Sequence, residues 1–171
     1  MSSTNTRLQH TVHAGLLALA ALFIGKTQAV EVKFQPVAPS VYAYIGEKGS
    51  RTLDNEGLNA NIGLVVTPEG ALLIDSGATF ESARQIHAAV RAVTMQPVKW
   101  VINTGGQDHR WLGNGYFQAQ GAELIAHANA KADMQARGGD HLAALRASLG
   151  ARADGTVPTL PQRLSPPTTS A

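Results

Sequence analysis

A helix-period stripe set between two short apolar runs constrains this chain most. Phe80, Ala83, Ile86, Val90 and Val93 recur at spacings of three and four, which places them on one side of an α-helix. Arg84, Gln85, Ala88 and Arg91 lie opposite. Thr79 precedes the stripe as an N-cap, and Glu81 falls in the first turn, where the helix dipole favours negative charge. Pro97 ends the helix, and Val98–Asn103 (VKWVIN) reads as a strand. Upstream, Asn59–Val66 and Ala71–Ile74 read as strands joined through Thr67–Gly70, a hairpin. Strand, helix and strand within about 35 residues is the α/β pattern.

The remaining segments extend this pattern. Val41–Ile45 alternates and is rich in β-branched and aromatic residues, a strand signal. Ser50–Gly57 reads as a loop. Glu123–Ala126 reads as another strand, and a short helix is expected near Arg110–Gln118. Asn129–Arg137 and Asp140–Leu149 read as two further helices, the second with Leu142, Leu145 and Leu149 on one face. The tail from Gly150 holds four Pro and several Ser and Thr, which predicts an extended or disordered segment.

The first 29 residues read as a signal peptide. His13–Gly25 is an apolar run too short to span a bilayer comfortably, and Thr27-Gln28-Ala29 offers small residues before a cut at Val30. Three parts follow: a signal at 1–29, a domain at 30–150 and a Pro/Ser/Thr-rich tail at 151–171. The expected location is periplasmic or secreted, with no membrane span in the mature chain. Removing Arg7 and Lys26 with the signal leaves 12 basic against 12 acidic residues. That balance gives no basic patch for nucleic acid and no polybasic stretch for a lipid surface. The chain has no Cys, which excludes thiolate catalysis and Cys-based metal sites.

Chemistry concentrates in Val101–Asn114 (VINTGGQDHRWLGN), a polar, Gly-rich loop just past a buried strand. Asp108-His109 is its best metal or acid–base pair, since a His beside a carboxylate can hold zinc or move a proton near neutral pH. The bland alternative has Asp108 capping the short helix and His109 in solvent. Gln107 and Asp75 could add donors to a zinc site, whose bound water would attack an ester, amide or thioester. Arg110 and Trp111 could contact a substrate by charge and stacking, or simply pack across the loop. His87 reads as a boundary residue, while His127 and His141 could each supply a missing ligand. Ser76 and Ser82 have no His at a catalytic spacing. Gly105-Gly106 lacks the spacing of a phosphate-binding fingerprint.

The ordered set NIGLVVTPEGALLIDSGAT, INT, DH and GN resembles the first half of a metallo-β-lactamase-fold metallohydrolase. That family opens with a hairpin ending in Asp-Ser/Thr-Gly, here Asp75-Ser76-Gly77. A helix and a strand ending in Asn-Thr follow, here Val98–Thr104, and then the metal loop His-x-His-x-Asp-His and Gly-Asn, here Gly113-Asn114. The resemblance covers roughly residues 40–160. It implies half of an αββα sandwich of the α/β (α+β) class: a mixed sheet with helices on one face. It also implies zinc chemistry and a role for Asp75 in ordering the metal loop rather than binding metal.

The loop departs from that pattern. Aligned without a gap, Gly105 and Gln107 stand at the first two His positions, His109 at the Asp and Arg110 at the third His. A one-residue shift matches Asp108-His109 to the Asp-His pair but restores neither earlier His. Two readings follow: an exported metal-dependent hydrolase, with Asp108, His109 and Gln107 at zinc or iron, or a truncated or non-catalytic binding module of the same fold. In either case a second copy of the chain could cover the apolar sheet face left by a half-sandwich.

Overall fold

The computed structural model describes residues 30–165. The segment read as a signal peptide and residues 166–171 lie outside it. A seven-stranded mixed sheet forms the frame: β1 (Gln35–Ala38), β2 (Val41–Tyr44), β3 (Ile62–Thr67), β4 (Gly70–Ile74), β5 (Val98–Asn103), β6 (Glu123–His127) and β7 (Arg163–Ser165). The strands follow one another across the sheet in sequence order. β1 to β4 pair antiparallel, and β4 to β7 pair parallel.

Parallel neighbours need crossovers. α1 (Phe80–Val93) makes the first, α2 (Asp108–Trp111) with α3 (Asn114–Ala119) the second, and α4 (Ala128–Leu149) with a 3-10 turn at Gly150–Ala153 the third. All three step the same way along the sheet, so connections of one hand place every helix on one face. Burial agrees. Ile62, Leu64, Leu73, Val101, Leu124 and Ala126 are buried beneath the helices, while Val65, Leu72, Ile74, Ile102 and Ile125, which alternate with them, are half-buried on the opposite face. The middle of the helix stripe does as its spacing predicts, with Ala83, Ile86 and Val90 fully buried, but Phe80 is exposed and Gln85, expected opposite, is buried and donates to Glu56 at 2.7 Å. Thr79 caps α1 by accepting from Ser82 N at 2.8 Å, and Ser82 Oγ returns the bond to Thr79 N at 2.9 Å.

Three of the differences from the sequence expectations bear on the site and its surroundings. α4 is one continuous helix rather than two. Gly138 does not break it, because a Cβ there would lie 3.1 Å from the Trp111 ring; the glycine serves close packing. The short helix expected near 110–118 is two helices, broken at Leu112-Gly113. A Cβ on Gly113 would collide with the Ser76 carbonyl, so the chain must cross there without a side chain. The segment after Gly150 is not a loose tail as far as Ser165. Thr156 is buried and accepts from Phe80 N at 3.0 Å, and β7 pairs with β6 through Ile125↔Arg163 and His127↔Ser165. Its prolines stop helix formation but leave the flanking residues able to pair.

Candidate functional site

The carboxyl ends of the parallel strands are where an open α/β sheet places its ligands. β4 ends in Asp75-Ser76-Gly77 and β5 in Asn103-Thr104, and both meet the 105–111 loop. Asp75 is buried and adopts φ +63°, a left-handed conformation uncommon outside Gly. Its Oδ1 accepts from Thr104 N and its Oδ2 from Thr104 Oγ1, each at 2.7 Å. Burial pushes its carboxyl above the ordinary value, against the two Thr104 hydrogen bonds and the nearby Arg110 and His109 charges.

Beneath the loop lies a closed amide network. Ser76 Oγ donates to Asn114 Oδ1 at 2.8 Å, and Asn103 and Asn114 exchange bonds at 3.0 and 2.8 Å. Asn103 Nδ2 also donates to the Arg110 carbonyl at 2.9 Å, as does Ser76 N at 2.9 Å. The motif residues of three separate segments therefore bond to one another, and together they fix where α2 begins. Buried polar groups are tolerable only when satisfied in this way.

Asp108 and His109 open α2. Asp108 is one-tenth exposed at its side chain. Its Oδ1 accepts from His109 N at 2.8 Å and lies 3.2 Å from His109 Nδ1, and its Oδ2 accepts from Arg51 Nη2. Burial alone would raise this carboxyl, but the His109 hydrogen bond and the Arg51 charge together hold it well below the usual carboxylate range. Arg51 carried no local signal: it lies 57 residues upstream, in the loop between β2 and β3. That loop is held by Asn55, which accepts from Thr52 N and Gly57 N at 2.9 and 3.0 Å. The ion pair of buried Glu56 with Arg152 at 2.5 Å anchors it further.

A cleft of about 630 Å³ opens between this loop, the ends of β2, β3 and β4, and the start of α2. Asp75, Thr104, His109 and Arg110 line it, with Lys48 from the β2–β3 loop. Trp111 does not. It is fully buried, and its Nε1 donates to the Gly106 carbonyl at 3.0 Å. The expected substrate contact at Trp111 is thus corrected to a packing role under α4. Gln107 is exposed, and its amide oxygen stands over Gly105. His87 Nδ1 is 2.9 Å from Tyr116 Oη, and His127 Nδ1 accepts from Asn129 N at the start of α4. His141 lies on α4 with Nδ1 buried and unpartnered.

Catalytic zinc needs about three protein ligands with free lone pairs. Among the described residues no three His, Asp or Glu side chains come together in a metal-holding group. Asp108 and His109 are sequence neighbours whose carboxylate and Nδ1 are turned on each other, and Arg51 takes the second carboxylate oxygen. The expected set of Gln107, Asp108 and His109 therefore does not fit a three-ligand zinc centre. Among the described residues no helix is long and apolar enough to cross a membrane.

The fold recurs in solved proteins. A metallo-β-lactamase from Pseudomonas aeruginosa in its mono-zinc form superposes with a TM-score of 0.54 at 18% identity, over 64% of this chain and 48% of that one. A motif mutant of a metallo-β-lactamase from Cronobacter sakazakii gives 0.54 at 21%, over 79% and 48%. One from Erythrobacter litoralis gives 0.52 at 24%, over 65% and 48%. The chain spans about half the length of these structures. The family model of the metallo-beta-lactamase superfamily matches residues 55–169, past the domain boundary expected at 150. With the mixed sheet, its one-sided helices and the Asp75, Asn103 and Asn114 motifs bonded together at the strand ends, that match identifies the chain as a member of the metallo-β-lactamase superfamily.

Proposed function

We propose that this chain is an exported hydrolase that cleaves an ester, amide or thioester by acid–base activation of water at His109. One observation carries the reading: Asp108 Oδ1 lies 3.2 Å from His109 Nδ1 at the wall of the cleft. The ionised Asp108 beside Nδ1 favours the tautomer with the ring hydrogen on Nδ1, which would leave the Nε2 lone pair for a water proton. Asp108 orients the ring and stabilises the imidazolium that forms, and it is not itself protonated. Arg51 holds Asp108 in its charged form. Asp75 supports the site from outside the reaction by clamping Thr104. No step passes through zinc or iron, because the donors present do not converge on one.

The apolar, half-buried face of the sheet opposite the helices supports a second copy of the chain as its cover. Sedimentation of the purified chain is expected to show a dimer, and a monomer at all concentrations would remove that part of the proposal. Export is tested by the N-terminus of the secreted product, expected at Val30.

The activity test is turnover of a p-nitrophenyl ester and a thioester by the full chain, before and after chelator treatment. His109→Ala is expected to lower kcat by on the order of 100-fold or more, with Asp108→Ala close behind. Turnover unchanged in His109→Ala, or lost wholly to chelator and restored by zinc, would defeat this mechanism.

A further inference from the structure

Two cations line the cleft without a direct ion pair, and the Asp75 carboxylate acts on Arg110 only through space and the bridging Thr104 hydroxyl. Among the described residues, no carboxylate lies within ion-pair distance of Arg110 or Lys48. The acids that share the cleft are already engaged: Asp75 by Thr104, and Glu47 by Asn55 Nδ2 at 3.3 Å.

Arg110 is unusually well placed to receive a ligand. Its main chain is pinned by Ser76 and Asn103. Its Nη1 donates to Thr104 Oγ1 at 2.8 Å, which tethers one end of the guanidinium. Among the described residues the Nε–Nη2 edge has no hydrogen-bond partner, and that edge is the fork that matches a carboxylate with two parallel hydrogen bonds. A Cβ at Gly105 would stand 2.5 Å from Gln107 Oε1 and in ordinary contact, 3.5 Å, with Arg110 Nη1. The rest of the cleft offers apolar surface from Ala43, Ile45 and Ile74, which suits a hydrocarbon body.

We propose that the cleft binds a small carboxylate with an apolar body, the carboxylate on the Arg110 fork with Lys48 as second cation and the body against Ala43, Ile45 and Ile74. This names a substrate class for the hydrolase reading and rests on that reading only in sharing its cleft.

The probes are hexanoate, hexan-1-ol and inorganic phosphate, titrated into the full chain by calorimetry and by amide chemical shifts. Hexanoate is expected to bind saturably and to shift Thr104, Arg110 and Lys48, while the alcohol and phosphate each bind at least about tenfold more weakly. Arg110→Gln should weaken hexanoate by roughly tenfold or more, and Arg110→Lys by less, since it keeps charge and loses the fork. Lys48→Gln, in an exposed loop, gives a second reading should Arg110→Gln fail to fold. Equal binding of hexanoate and hexan-1-ol would overturn the proposal, as would phosphate matching hexanoate or the cation variants binding like wild type. His109→Ala separates the two proposals: it should lose turnover and keep hexanoate. Turnover without hexanoate binding sinks the carboxylate site alone, and binding without turnover sinks the hydrolase alone.

Discussion

The Arg51–Asp108 pair makes the sharpest energetic prediction. Asp108 is one-tenth exposed and Arg51 less than a quarter exposed at the side chain, so neither is solvated like a surface ion. Removing one partner of a fully buried pair costs about 3–5 kcal/mol, because the other is left as an uncompensated charge. Arg51 keeps some solvent, and Asp108 keeps His109. Each single variant, Arg51→Met or Asp108→Asn, should therefore lose about 2–3 kcal/mol. The double variant should lose less than the sum, with a coupling of at least about 1 kcal/mol in a double-mutant cycle read from urea unfolding at pH 7. The pH dependence has a definite sign. Asp108 is held below its unfolded value, so its contribution is complete above that value, about 3.9, and is lost as pH falls toward the folded one. The gap between wild type and Asp108→Asn should accordingly shrink in acid. Coupling below about 0.5 kcal/mol would put the pair among ordinary surface bridges and refute the view that Arg51 fixes the site.

Other substitutions probe the parts around it. Trp111→Ala removes a fully buried indole and its hydrogen bond to Gly106, and should cost about 3–5 kcal/mol by urea unfolding; a loss under about 1 kcal/mol would return Trp111 to the cleft surface. Thr156→Val deletes the acceptor for Phe80 N and should cost about 1 kcal/mol with no change in turnover, whereas no cost would mean the segment after α4 is not docked. His87 is held below its ordinary value by burial and then by Arg91, so its stabilising neutral form is lost as pH falls through the unfolded value, about 6.5. The thermal midpoint of wild type should drop more steeply than that of His87→Gln between pH 7 and 5, and parallel curves would contradict this.

The parts legible in the sequence are those set by local periodicity. α1 and its Thr79 cap follow from spacing alone, and β3 to β6 follow from short apolar runs between turn residues. What escaped was set by partners distant in the chain. β1 (QPVA) is exposed throughout and carries a Pro, so nothing in its own residues marks it as a strand; β2 makes it one by pairing. Asn129–Arg137 and Asp140–Leu149 read as two helices, yet α4 runs through and Gly138 packs against the Trp111 ring. β7 is three residues long and depends on the β6 edge. In the site, adjacency in sequence showed Asp108 beside His109 but could not show Arg51, and the same stretch showed Trp111 without showing that α4 covers it. The DSG, INT and GN motifs were visible as a set, while the reason they occur together, a shared amide network, needed the fold.

The departures in the loop are mutually dependent. A carboxylate as buried as Asp108 needs a cation, and Arg51 supplies it from a loop that Asn55 and Glu56 hold in place. Gly105 leaves room for the Gln107 amide, and Gly106 leaves room for Asp133 of α4, whose carboxylate would collide with a Cβ there. Asp133 is in turn paired with Arg137 one turn along the helix. A His at 105 would displace the Gln107 amide, and Asp108 would still face Arg51. The loop holds together as an arrangement of guanidinium groups around an Asp–His pair, and these are the groups that the proposed anionic ligand and water would meet.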